Sequence, residues 1–189
     1  MVINLKLNTQ SENKRKKQLS VYDLALCGLF SAILFVAQVV FAFLPNIEFV
    51  TLLIIVYTLV FKKRTILIIY IFALLEGLVY GFGIWWIMYL YVWTILYFIV
   101  NVFRKNDSSI GWAVIGGFFG LSYGLLCSIP YAVAGGMNMG IAWWIKGIPF
   151  DIIHGIGNFV IILVLFKPIY NMLKKMHHSF QGRISYKNE

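Results

Sequence analysis

Acidic side chains are scarce in this chain: seven Asp and Glu stand against 16 Lys and Arg among 189 residues. Charged residues of both signs make up 12% of the sequence and hydrophobic ones 61%, with 17% aromatic. That is far more apolar side chain than one soluble core of this size buries, which makes the chain an integral membrane protein. Cysteine is nearly absent. Cys27 and Cys127 both lie inside apolar runs, which excludes a disulfide framework and leaves small-hydrophobe packing. No G-x-x-x-x-G-K-[ST] string occurs, which excludes a Walker loop for ATP. The glycine pairs Gly81/Gly83 and Gly155/Gly157 lack the strand–turn–helix setting of a dinucleotide site. Of three histidines, His177 and His178 fall in the tail, too poor a supply for a His-based metal centre. Ser122 and Ser128 have no His near them in sequence, although approach to His154 in space stays open. Neither an enzyme nor a bound cofactor or metal is expected. The first 20 residues are polar and basic, without the apolar core and small-residue cleavage site of a signal peptide.

What is present is a series of apolar runs separated by short polar links. A basic leader, residues 1–20 with Lys14-Arg15-Lys16-Lys17, suits attraction to anionic lipid rather than nucleic acid, since a span follows at once. Span 1 is expected over Val21–Leu44, stopping at Pro45, and span 2 over Ile47–Phe61, short against the usual ~20 residues. Span 3 covers Thr65–Tyr80, span 4 Ile84–Phe103 after the Gly81–Gly83 turn, and span 5 Ile110–Ala134. Gly135–Gly140 turns the chain into span 6, Trp143–Lys167. The fold expected is all-α: a six-helix membrane domain over residues 21–170 and a basic tail over 171–189. Of 16 basic residues, all but Lys146 fall in the leader, the tail or end of span 6, and the links after spans 2 and 4. By the positive-inside rule both termini are cytoplasmic.

Unusual chemistry collects in the outer half. Asp151, His154 and Asn158 fall at i, i+3 and i+7 and share one helical face. Ionisable groups at membrane depth are expensive and mark a cavity, a partner or a pathway; the plainer alternative is polar glue between helices. Glu48 follows the Pro45–Asn46 turn, Glu76 sits a turn before the end of span 3, and Lys146 is the lone cation nearby. Trp86, Tyr89, Trp93 and Tyr97 form an aromatic stripe on span 4. An interfacial belt accounts for some of Trp85, Trp86, Trp143 and Trp144. It accounts less well for Trp93, about 12 Å in from the helix start. A wall of rings with indole and phenol hydrogen bonds suits a planar heterocycle.

A basic leader entering Leu24-Ala25-Leu26-Cys27-Gly28-Leu29-Phe30-Ser31-Ala32, then Leu44-Pro45-Asn46-Ile47-Glu48, Leu75-Glu76-Gly77 and Gly147-Ile148-Pro149-Phe150-Asp151, resembles one family over about Val21–Tyr170. The chain looks like the S component of an energy-coupling factor (ECF) transporter, the subunit that captures a vitamin or related micronutrient in the bacterial cell membrane. The resemblance implies partners: a transmembrane coupling subunit and two ATPase subunits. It implies that the S component binds substrate outside, docks, and topples so that its cavity opens inward. It also implies that small residues four apart on span 1 form the docking face, matched here by Gly28 and Ala32 with Cys27 and Ser31 beside them. The family's alanine pair is not intact, since Leu29 stands four residues after Ala25, and contact within the same subunit is the alternative. The substrate residues it implies are Glu48, Trp86, Tyr89, Trp93, Asp151, His154 and Asn158, with Tyr123, Asn138 and Lys146 as additions.

Three carboxylates (Glu48, Glu76, Asp151) against Lys146 favour a cationic or amine-rich ligand, and each aromatic face adds about 0.5–2 kcal/mol of cation–π attraction. A thiamine-like molecule or its aminopyrimidine precursor fits; riboflavin, a queuosine precursor or a corrinoid fragment stay open. A self-sufficient proton-coupled transporter of a small heterocycle, with Glu76, Asp151 or His154 as relay, is the alternative. A membrane enzyme or immunity-type interaction protein, in which the aromatic residues only anchor, is a third reading.

Overall fold

The computed structural model describes residues 21–44 and 47–187, with side chains as far as Ser179. The leader expected over residues 1–20, the Pro45–Asn46 turn and the side chains beyond Ser179 lie outside the described residues. All regular structure in the described residues is helical: α1 Val21–Phe41, α2 Val50–Phe61, α3 Arg64–Tyr80, α4 Ile84–Tyr89, α5 Val92–Val102, α6 Ser109–Leu121, α7 Tyr123–Gly135 and α8 Met137–Lys187. Four stretches are long and apolar enough to cross a membrane: Val21–Phe41, Ile84–Val102, Ser109–Gly135 and Met137–Ser179. With 12 residues, α2 is shorter than that.

The shortness of α2 goes with its position. It is apolar all round and buried on every side but Leu59, as a helix without a polar face must be. α1, α3, α5 and α8 pack around it. Packed rings cover its C-terminal half: Phe30 lies 4.5 Å from Phe61 and 5.0 Å from Tyr57, centre to centre.

Two expected spans are interrupted. The fourth breaks at Leu90–Tyr91, where the bonds Leu90 N–H to Ile87 and Tyr91 N–H to Met88 tighten the turn. No Gly or Pro causes this; the displaced Tyr91 hydroxyl donates to the Leu126 carbonyl of α7 at 2.6 Å. The fifth breaks at Ser122, whose hydroxyl donates back to the Phe118 carbonyl at 2.8 Å, a bond that competes with the helix ladder and bends it. Conversely, the sixth span does not stop at Pro168. α8 runs on through the expected tail to Lys187. Packing carries it past the proline: Phe166 stacks on Tyr170 at 5.4 Å, and Leu173 is buried.

The tightest helix contact joins α6 and α7 to α8. A Cβ at Gly120 would stand 2.9 Å from the Gly155 Cα and N and from the His154 carbonyl carbon. A Cβ at Gly124 would run into the Asp151 carboxylate. Small residues let backbones meet where no water is available to drive association. Gly28, by contrast, has nothing within 4 Å of a Cβ. Gly120→Val is therefore expected to destabilise the purified chain by about 1–3 kcal/mol through overpacking, read as a fall in melting temperature in detergent. Gly28→Ala should leave that temperature unchanged or raise it.

Candidate functional site

The first N–H groups of a helix need acceptors from outside it, and Glu48 supplies one. Its Oε2 accepts the Thr51 backbone N–H at 2.8 Å, where a carboxylate also suits the positive end of the helix. Its other oxygen, Oε1, stands 3.1 Å from His154 Nε2. One carboxylate thus caps α2 and holds an imidazole of α8. Four residues on, Asn158 Nδ2 donates to the Thr51 hydroxyl at 3.2 Å. Residues i and i+4 of α8 grip residues i and i+3 at the head of α2. The bond to Glu48 places the proton on Nε2 and leaves Nδ1, buried and without a partner among the described residues, as an acceptor in neutral imidazole.

Rings close the rest of the site. The His154 imidazole meets Tyr123 edge-on at 4.9 Å. Tyr123 lies 5.7 Å from Trp93, and Trp93 lies 5.8 Å from Tyr89 at 81°. Together with Gln38, Glu48 and the end of α1 they line a cavity of about 230 Å³. Gln38 Nε2 donates to the Tyr89 hydroxyl at 3.4 Å. The Trp93 indole is 2% exposed, and its N–H has no acceptor among the described residues. Such an orphan costs about 1–3 kcal/mol, which an acceptor atom on a ligand would recover. Gln38 and Ala42 also border a second cavity of about 290 Å³ that contains Glu76, Tyr80 and Trp85. Glu76 is buried there with Oε1 unpartnered.

No family model, curated protein or solved structure matches this chain. Function has to be argued from the site itself.

Of the residues singled out in the sequence, Glu48, Tyr89, Trp93, Tyr123 and His154 converge on one cavity. Asp151, His154 and Asn158 do share a buried face, but only His154 lines the cavity. Asp151 Oδ1 instead accepts the Gly124 N–H at 2.9 Å, and Asn158 is spent on Thr51. Trp86 does not reach the cavity: its indole donates to the Ala73 carbonyl at 2.7 Å and its ring meets Phe82. Tyr97, one turn beyond Trp93 in α5, lines a different cavity toward the far end of that helix. Asn138 and Lys146 are exposed in the N-terminal part of α8 and do not line the cavity.

The small-residue face of α1 divides. Ser31 turns inward, its hydroxyl 2.9 Å from the Ile68 carbonyl of α3, and Cys27 is buried against the Arg64 carbonyl. Ala32 is exposed and Gly28 partly so. Sequence reasoning passed over Gln38 and Thr51. Gln38 is the one amide in the apolar run of α1, and Thr51 stands three residues after Glu48, the spacing of a helix cap. No group of three metal-ligating side chains occurs among the described residues.

Glu48→Gln keeps an oxygen for the Thr51 N–H, whereas Glu48→Ala removes it. The alanine variant should lose about 1 kcal/mol or more of stability, as lost caps do, while the glutamine variant, which keeps the cap but turns its amide N–H groups toward His154, should lose less. Thermal denaturation of both proteins in detergent checks this. A Thr51→Val/Asn158→Leu double-mutant cycle should return a coupling of about 0.6 kcal/mol, the average for polar pairs between membrane helices.

Proposed function

We propose that this chain is the substrate-capture subunit of an ECF-type importer in the bacterial cell membrane, taking a vitamin or vitamin precursor of aminopyrimidine or thiamine-like chemistry. The observation that carries the reading is the cavity of about 230 Å³ walled by Tyr89, Trp93 and Tyr123 and closed by the Glu48–His154 pair. Stacked and edge-on rings accept a flat heterocycle. Glu48 and the His154 Nδ1 supply acceptors for its exocyclic amine, and the Trp93 indole N–H supplies a donor for a ring nitrogen. The volume lies below the roughly 300–1,000 Å³ of pockets for drug-sized ligands, which favours a single ring. The adjoining cavity beyond Gln38, with the Glu76 carboxylate, offers room for a second, amine-bearing part.

The rest of the reading follows from topology. Counting α2 and α3 as crossings within the bundle gives six spans, an even number, and the basic residues then place both termini in the cytoplasm. Gly28 and Ala32, facing away from the bundle, suit close approach of a coupling subunit. Two ATPases would supply the energy for which this chain has no nucleotide motif. A second reading, a proton-coupled secondary transporter, draws on the imidazole–carboxylate pair beside the buried, unpartnered Glu76 carboxyl.

Mass spectrometry of the compound retained through purification tests the ligand class, with a single-ring aminopyrimidine expected. Titration of Trp fluorescence with that compound should give binding that Trp93→Ala weakens about tenfold or more while the variant still purifies as a monodisperse protein. Wild-type affinity in Trp93→Ala would reject the cavity as the site. Uptake that needs co-expressed coupling and ATPase subunits supports the importer; uptake by the chain alone that collapses with the proton gradient supports the second reading.

A further inference from the structure

The end of α2 opposite Glu48 opens on another cavity, of about 840 Å³. Two short links form its rim. Lys62, Lys63 and Arg64 come from the turn between α2 and α3, and Arg104 and Lys105 from the link between α5 and α6. The turn is held in a fixed shape. Lys62 has φ 54°, the one non-glycine residue with positive φ among the described residues, and its N–H bonds the Thr58 carbonyl at 3.1 Å. A side chain in that conformation is strained and persists where its surroundings impose it, often at binding sites. Arg64 is anchored by Asp23 at 2.7 Å, the one carboxylate on the rim. Five cations from two separate links therefore face one space with a single fixed counter-charge. Clefts lined by one sign of charge with apolar walls focus the field and concentrate counter-ions. Here Leu59, Phe61 and Tyr97 provide the walls, and the Asn101 amide lies among them.

We propose that this basin is a binding site for a phosphate group. Lys62, Lys63, Arg104 and Lys105 neutralise the anion, and Arg64, oriented by Asp23, offers its remaining N–H donors to a phosphate oxygen. The phosphate comes from an anionic lipid headgroup or from free phosphate; basic pockets between membrane helices hold such headgroups. The site is separate from the ring-lined cavity and does not depend on what that cavity binds.

The test uses the full chain, delipidated in neutral detergent, and native mass spectrometry with phosphatidylglycerol, phosphatidylcholine and inorganic phosphate as probes. Phosphatidylglycerol should bind about tenfold or more tightly than phosphatidylcholine. Lys62→Ala/Lys63→Ala and Arg104→Ala/Lys105→Ala should each lower its affinity about tenfold. Lys167→Ala/Lys175→Ala, which removes the same charge from outside the basin, should leave it unchanged. Inorganic phosphate that displaces the lipid assigns the site to free phosphate as well; lipid binding insensitive to phosphate assigns it to the headgroup. Equal losses in all three variants would mean diffuse surface attraction and overturn the proposal. So would no preference for phosphatidylglycerol together with no phosphate binding, or rim variants that bind like wild type. Rim variants that keep the lipid but lose a cytoplasmic protein partner would give the basin to a protein contact, and also overturn it.

Discussion

The backbone contact of Gly120 with Gly155 fixes the distance between α6–α7 and α8, and most of the site follows from it. No side chain fits between the two helices there, so α8 is pressed inward with Asp151, His154 and Asn158 on its buried face. From that position Asp151 reaches the first turn of α7, Asn158 reaches Thr51, and His154 reaches Glu48. Each of these three groups, expensive in hydrocarbon, thus meets at least one specific partner from elsewhere in the chain. The same contact sets Tyr123 against the His154 ring.

Polar contacts between helices and a cavity, read from the sequence as alternatives, occur on one face. Asp151 Oδ1 and Asn158 bond to neighbouring helices. His154 uses one ring nitrogen for Glu48 and keeps the other free beside Tyr123. The ring-lined cavity thus adjoins the polar contacts that join α8 to α2 and α7, beside the ends of α1 and α4 and the starts of α5 and α7.

The helical class, the apolar runs and the shared face of Asp151, His154 and Asn158 were legible because each is a matter of period or composition. Glu48, Tyr89, Trp93, Tyr123 and His154 were legible as polar or aromatic groups out of place in an apolar run. What failed was continuity. A helix interrupted without Gly or Pro, as at Leu90–Tyr91, leaves no local signature, because the bond that secures it runs from Tyr91 to Leu126 on another helix. Tyr89 and Trp93, on either side of that interruption, line the cavity, while Trp86 bonds to α3 and Tyr97 lies a turn further along α5. The reverse error occurred at Pro168, where packing of Phe166, Tyr170 and Leu173 outweighs the missing N–H. Cys27 and Ser31 stood beside the docking face that the family resemblance implies, with contact inside the same subunit as the alternative; both side chains are buried against α3.

With 12 residues, α2 rises about 18 Å, well under the ~30 Å of a bilayer's hydrocarbon core. Protein surrounds it, so the short helix suffers no mismatch with lipid. Its two ends border hollows, one ring-lined and one basic. Between them the protein is about as thick as α2 is long, so the Glu48–His154 pair and the Lys62–Arg64 turn stand at opposite ends of one short buried rod.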